Sequence, residues 1–293
     1  MRRPPSNESS MLFVLPTLSV LTAIALYPLV STAWLSLRDE LPIFNISRFA
    51  GLSHYLALWA DPRFWRSLTN TCYFTVVSVF LEIVLGLGVA LVLQQAFPAR
   101  GVVRTLVLTP WFIPTVVAAR LWEWMYNPQF GVVNFLLVRS GVVNEGVNWL
   151  GQPSLALHAA VLADVWKTMP FAALLILAGL QTIPQDLYRA ARVDGANSAQ
   201  AFRYITFPLL LPVLGITLLF RLLDALRVFD VVYVLTGGGP ANTTSTLSIY
   251  AYQLSFQTLQ FGPGAAVAMV IFLLVLGVSL LSLWGLRRLG ASF

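Results

Sequence analysis

Six apolar runs, at 11–37, 69–95, 105–126, 155–182, 209–235 and 264–286, alternate with short polar segments along this chain. Each is long enough to cross a hydrocarbon layer of about 30 Å as a helix rising ~1.5 Å per residue. Inside lipid a segment must satisfy its own backbone hydrogen bonds, so the pattern predicts an all-α integral membrane protein. Composition agrees: 58% of the residues are hydrophobic and 10% are charged, where a soluble domain carries about 25% charged residues. The first run is too long for a signal-peptide core and lacks a small-residue cleavage pattern.

The polar segments set the topology. Six spans put both ends on one side. With the ends inside, the inner segments hold nine arginines: Arg2, Arg3, Arg100, Arg104, Arg189, Arg192, Arg203, Arg287 and Arg288. The outer segments hold five: Arg38, Arg48, Arg63, Arg66 and Arg139. Cytoplasmic loops carry the excess of basic residues, so both termini are expected in the cytoplasm. The net charge of +6 is therefore interfacial arginine, and no nucleic-acid partner is implied. Lys167 is the one lysine, Cys72 the one cysteine, and His54 and His158 are far apart in sequence. That leaves no disulfide framework, no metal-ligand spacing and no catalytic triad. The loops are too short for a soluble catalytic domain, and no Gly-rich loop ends in Gly-Lys-Ser/Thr. The chain is expected to be non-catalytic, a single membrane domain over 1–293.

One polar stretch stands apart, Leu187–Leu209. Gln185–Val193 is built of helix formers, and Asp194-Gly195 turns the chain. Asn197 or Ser198 can cap a second short helix with an apolar side of Phe202, Ile205 and Phe207. Pro208 opens the next apolar run. Two readings stay open here, a docking element for a cytoplasmic partner and an ordinary solvated loop.

The order Ala190-Ala191, three residues, Gly195, nine residues, Ile205, two residues, Pro208 resembles the cytoplasmic loop of permease subunits of bacterial binding-protein-dependent ATP-driven (ABC) importers. Asp194-Gly195-Ala196 matches that family's usual Asp-Gly-Ala, while Arg189 stands where it carries Glu. Other stretches resemble the family's carbohydrate branch, the maltose, trehalose and glycerol-phosphate permeases. They are Phe49-Ala50-Gly51-Leu52 with Tyr55, Asn70-Thr71, Gly86-Leu87, and Phe229-Asp230 through Gly237-Gly238-Gly239-Pro240 to Thr243-Thr244. The resemblance implies a type I importer permease fold in the bacterial inner membrane. It implies a coupling helix formed by Arg189, Ala190, Ala191, Asp194, Gly195, Ile205 and Pro208 within 183–208. It also implies four kinds of partner: a second related permease, two ATPase subunits, an extracytoplasmic binding protein and a sugar. ATP and Mg would belong to the ATPase, leaving this chain without a cofactor.

Ionisable residues inside a span are costly and usually paired or functional. Arg120 and Glu123 lie on the third span, Asp164 and Lys167 on the fourth, and Arg221, Asp224, Arg227 and Asp230 at steps of three on the fifth. Neighbours three apart can neutralise one another. Under the ends-in topology Arg120, Glu123, Asp164, Lys167, Arg227 and Asp230 fall in the outer half, while Arg221 and Glu82 fall nearer the middle and Asp224 lies deep with them. Either these pairs hold the bundle together, or they line a polar cavity open to the outside. A sugar needs hydroxyl hydrogen bonds and an aromatic face, which Trp111 and its neighbours Phe112, Trp122, Trp124 and Tyr126 could supply. Trp122–Tyr126 could equally be an interfacial belt. The expectation is a sugar permease working by alternating access. The alternative is an ion-coupled carrier using Glu82 and Asp224.

Overall fold

The computed structural model describes residues 7–41 and 46–288; Arg2 and Arg3 lie outside them. Helix α1 (Asn7–Ser36) leads into an antiparallel hairpin of β1 (Arg38–Leu41) and β2 (Ile46–Phe49), then α2 (Ser53–Ala60). Next come α3 (Pro62–Gln94), α4 (Arg100–Phe112), α5 (Thr115–Met125), α6 (Val132–Arg139) and α7 (Ala156–Gln181). After α8 (Gln185–Val193) and α9 (Ser198–Ala201), a π turn (Phe202–Thr206) runs without interruption into α10 (Phe207–Ala225). The chain finishes with α11 (Asp230–Thr236), α12 (Leu247–Tyr252), a second π turn (Gln253–Gln257) and α13 (Phe261–Arg288).

Among the described residues, five helical stretches are long and apolar enough to cross a membrane: those of α1, α3, α7, the continuous 198–225 helix, and α13. A sixth arises only if α4 and α5 count as one span, and they are bent by 98° at their break. The straight span expected over 105–126 is thus two helices. Proline explains the break. Pro114 has no N–H to give, and the residue before a proline is pushed out of helical space. Ile113 accordingly adopts φ −71°, ψ 129°.

Packing divides the described chain into two units: residues up to Asp61 with Tyr250–Val270, and Pro62–Ile249 with the remainder of α13. In the first, the hairpin pairs Arg38 with Phe49 and Asp39 with Arg48, whose side chains form an ion pair at 2.7 Å. Buried His54 reaches the Arg38 carbonyl at 3.1 Å, and Tyr250 donates to Asp61 at 2.7 Å. Gly262 is pressed against the Arg38 carbonyl and His54, leaving no room for a side chain.

In the second unit α3 and α7 form the largest helix–helix interface, and α10 packs on both. Lipid gives helices no hydrophobic reason to associate, so close backbone approach and packing carry the contact. Gly86 provides that approach: a Cβ there would lie 3.1 Å from the Ala173 nitrogen. Gly88, which reads from sequence as a second packing glycine, faces nothing within 4 Å. Two apolar clusters fill the bundle. One is centred on Phe74, Ala160, Val232 and Ile249, the other on Ala90, Ile176, Leu180 and Leu210. Along α3 and α7 the residues between those clusters include Glu82 and Thr168, so a polar layer is sandwiched between two dry ones.

The Gly/Thr/Ser-rich stretch after α11 is pinned. Asn70 donates to the carbonyls of Thr243 and Ser245, both at 2.9 Å. Thr71 accepts from the Leu247 N–H at 2.9 Å, and Thr244 and Thr246 are fully buried.

Candidate functional site

The polar layer is built by three helices. From α3 comes Glu82, fully buried; from α10 comes Arg221, 4% exposed; from α7 come Asp164 and Thr168, both buried. Arg221 grips Glu82 with two donors, Nε to Oε2 at 2.5 Å and Nη2 to Oε1 at 3.2 Å. Such a forked pair is strong and fixes orientation. The remaining arm, Nη1, donates to Asp224 Oδ2 at 2.8 Å. Asp164 stands off, with Oδ2 3.9 Å from Nη2. The Thr168 hydroxyl lies 2.8 Å from Glu82 Oε1 and 2.6 Å from the Asp164 carbonyl, two acceptors for one hydrogen. Desolvated charges of this kind persist only when paired and hydrogen-bonded.

Above the layer opens a cavity of about 250 Å³. Asp164, Lys167, Arg221, Asp224, Arg227 and Asp230 all line it, as do Thr115, Thr168 and Phe229. The volume is below the ~300–1,000 Å³ usual for a ligand pocket, so the arrangement is constricted. Six of the sequence-derived residues are therefore brought to one place, and Glu82 lies beneath them in contact with Arg221. The way they get there differs from expectation. Arg221, Asp224, Arg227 and Asp230 do not share one helix: α10 ends at Ala225 and α11 begins at Asp230. At the break the Thr246 hydroxyl donates to the Val228 carbonyl at 3.2 Å.

Three expected residues are elsewhere. Arg120 and Glu123 pair with each other at 2.5 Å on α5 and are not among the cavity's lining residues. Trp111 stacks on Phe171, ring centroids 5.4 Å apart, and does not line the cavity either. Of the other aromatics, Trp122 packs on Tyr126 and Trp166, while Trp124 is exposed. Thr168 and Thr115 were missed. A hydroxyl one helical turn after Asp164 was the available signal for Thr168. Among the described residues no group of three or more His, Cys, Asp or Glu is arranged to hold a metal ion.

The stretch after α7 is the second candidate. Gly195 has φ +76° and closes α8 with a Schellman pair, Ala196 N–H to Ala191 O at 2.9 Å and Gly195 N–H to Arg192 O at 3.2 Å. Asn197, not Ser198, caps the next helix through a reciprocal box with Gln200. The turn that widens to π geometry immediately precedes Pro208, whose ring would collide with the Tyr204 carbonyl in a regular helix. Ile205 and Tyr188 pack on the lower apolar cluster, and Tyr188 bonds Thr206 at 2.9 Å. Arg189 pairs only loosely outward, with Asp186 at 3.1 Å. Ala190, Asp194 and Pro208 are exposed, while Ala191 is half-buried against a groove of its own chain.

With these geometries in place, comparison with known proteins is informative. Residues 82–286 match the family of the "Binding-protein-dependent transport system inner membrane component". The trehalose/maltose transport system permease protein MalF of Thermococcus litoralis is 46% identical over 93% of this chain and 91% of its own length. The sulfoquinovosyl glycerol transport system permease protein SmoG of Agrobacterium fabrum is 40% identical over 92% of this chain and 87% of its own. The trehalose transport system permease protein SugA of Mycobacterium tuberculosis is 39% identical over 92% of this chain and 86% of its own. A chain in the crystal structure of a bacterial alginate ABC transporter, bound to an alginate pentasaccharide-loaded periplasmic protein, superposes with TM-score 0.84 at 25% identity, covering 98% of this chain and 96% of that one. The fold is that of an ABC importer permease, as the motif resemblance implied, and nothing here supports the ion-coupled carrier. A pinned bundle of apolar helices with a charged cavity and a capped polar turn thus belongs to the family of inner-membrane components of binding-protein-dependent transport systems.

Proposed function

We propose that this chain is the sugar-translocating permease subunit of an ATP-driven importer, carrying a di- or oligosaccharide or a glucosyl polyol. The observation that carries the reading is the cavity lined by alternating carboxylates and cations, set in a chain whose relatives bear sugar-transport names. Carboxylates accept from sugar hydroxyls and cations donate to them, so a mixed lining suits a polyhydroxylated ligand. The chain works as one non-catalytic transmembrane domain with both termini in the cytoplasm. A second permease, two ATPases and an extracytoplasmic binding protein complete the machine, with ATP and Mg held by the ATPases. The turn from Arg189 to Pro208 docks on an ATPase, and alternating access exposes the cavity to each side in turn.

Proteoliposomes holding the full complex test this. Loaded with Mg-ATP and given the binding protein outside or inside according to orientation, they should accumulate labelled trehalose or maltose. ATP-independent uptake driven by a proton or sodium gradient would overturn the reading.

A further inference from the structure

The cavity's lining carries as many carboxylates as cations, and Glu82 adds a further carboxylate behind it. Four carboxylates, Glu82, Asp164, Asp224 and Asp230, face three cations, Lys167, Arg221 and Arg227. Arg221 would be the natural anion-binding group, since a guanidinium reads phosphate and sulfonate in the same forked manner as carboxylate. It lines the cavity, but each of its three nitrogens is already engaged by a carboxylate. Glu82 occupies its Nε and Nη2, and Asp224 its Nη1. Glu82 itself is fully buried and does not line the cavity, so its reach into the site passes entirely through Arg221. Arg227, the other guanidinium, lies 3.9 Å from Asp224 and is shared with it.

We propose that Glu82 is a specificity-determining residue: by engaging the Arg221 guanidinium that lines the cavity, it makes the site select uncharged polyhydroxylated ligands over phosphorylated, sulfonated or uronic-acid sugars. Family membership does not decide the matter, because matched proteins bear both kinds of name, trehalose/maltose in one case and sulfoquinovosyl glycerol in another. The cavity in this chain does. An anion entering it would shed its water without finding an unbalanced cation, since the lining carries as many carboxylates as cations and two carboxylates already hold Arg221. A neutral sugar meets only acceptors and donors. This inference rests on the sugar reading above.

The test uses the purified complex of both permeases and ATPases in nanodiscs, without the binding protein, whose own selection would intrude. Equilibrium binding of trehalose is compared with trehalose 6-phosphate, and maltose with maltobionate. The acid member of each pair should bind about tenfold more weakly, or worse, in the wild type. Glu82→Gln keeps the shape but frees the guanidinium, and the gap should close to about threefold or less. Asp230→Asn, exposed and outside the ion-paired layer, changes net charge equally without releasing Arg221. It should close the gap by less, and it reads the charge effect even where Glu82→Gln assembles poorly. A purely structural Glu82 would lower affinity for both members alike and leave their ratio unchanged, which overturns the proposal. Equal wild-type binding of acid and neutral sugars overturns it too. Binding of none of the four overturns the sugar reading and this inference together.

Discussion

Arg221 is the residue on which the second unit's polar layer depends, and its removal is asymmetric. Arg221→Ala leaves Glu82 fully buried with no counter-ion, a situation that costs about 3–5 kcal/mol when one partner of a buried pair is lost. Complex yield and uptake should both fall, whereas Arg139→Ala, at an exposed helix end, should leave both near wild type. Replacing both partners with apolar residues, Glu82→Met with Arg221→Met, removes the orphan charge. Yield by size-exclusion chromatography should then recover while uptake does not. Recovery of neither would point to a role in packing rather than charge. The individual charges were legible in the sequence, because ionisable residues inside apolar runs are conspicuous. Their wiring was not. Glu82 and Arg221 are separated by 139 positions, and no local period predicts which acid meets which base.

Elements show the same division between local and distant causes. The α8 turn was readable because its determinants are adjacent: Gly195 for the left-handed position, Asn197 for the cap, Pro208 for the next helix. Gly195 has open space around it, so its requirement is backbone conformation alone. Gly195→Val should therefore destabilise the turn by about 1–3 kcal/mol, since β-branched residues resist positive φ. Gly195→Asn should be nearly silent, because Asn tolerates that region. In the reconstituted complex, transport per ATP hydrolysed should drop for Val and not for Asn. Wild-type coupling in the Val variant would remove this turn from the docking surface. The α4–α5 break was also available in principle, since Pro110 and Pro114 were visible, but composition alone reads the pair as one run. The pinned Thr-rich segment was opaque. Polar loops usually face water, and the partners that turn this one inward include Asn70 and Thr71, more than 170 positions earlier.

At the scale of the molecule the open matter is orientation, which the arginine count assigns as ends-in. Single cysteines at Asn197 and Asn242, both exposed, in a Cys72→Ser background should report it. An impermeant maleimide added to intact cells should label the Asn242 site and spare the Asn197 site until the membrane is opened. The reverse pattern would invert the topology and place the capped turn away from any ATPase.

The uninterrupted helix from Ser198 to Ala225 has a mechanical meaning. Because the π turn absorbs Pro208 without a break, the 23 positions from Ser198 to Arg221 form a stiff arm of ~35 Å at ~1.5 Å per residue. By simple leverage, tilting such an arm by ~5° about its Ser198 end carries the guanidinium ~3 Å sideways. That stroke is comparable to the 3.9 Å now separating Arg221 from Asp164. A rotation of that size is thus large enough to exchange one carboxylate for another on the same arginine. One continuous helix thus joins the capped polar turn to the charged cavity.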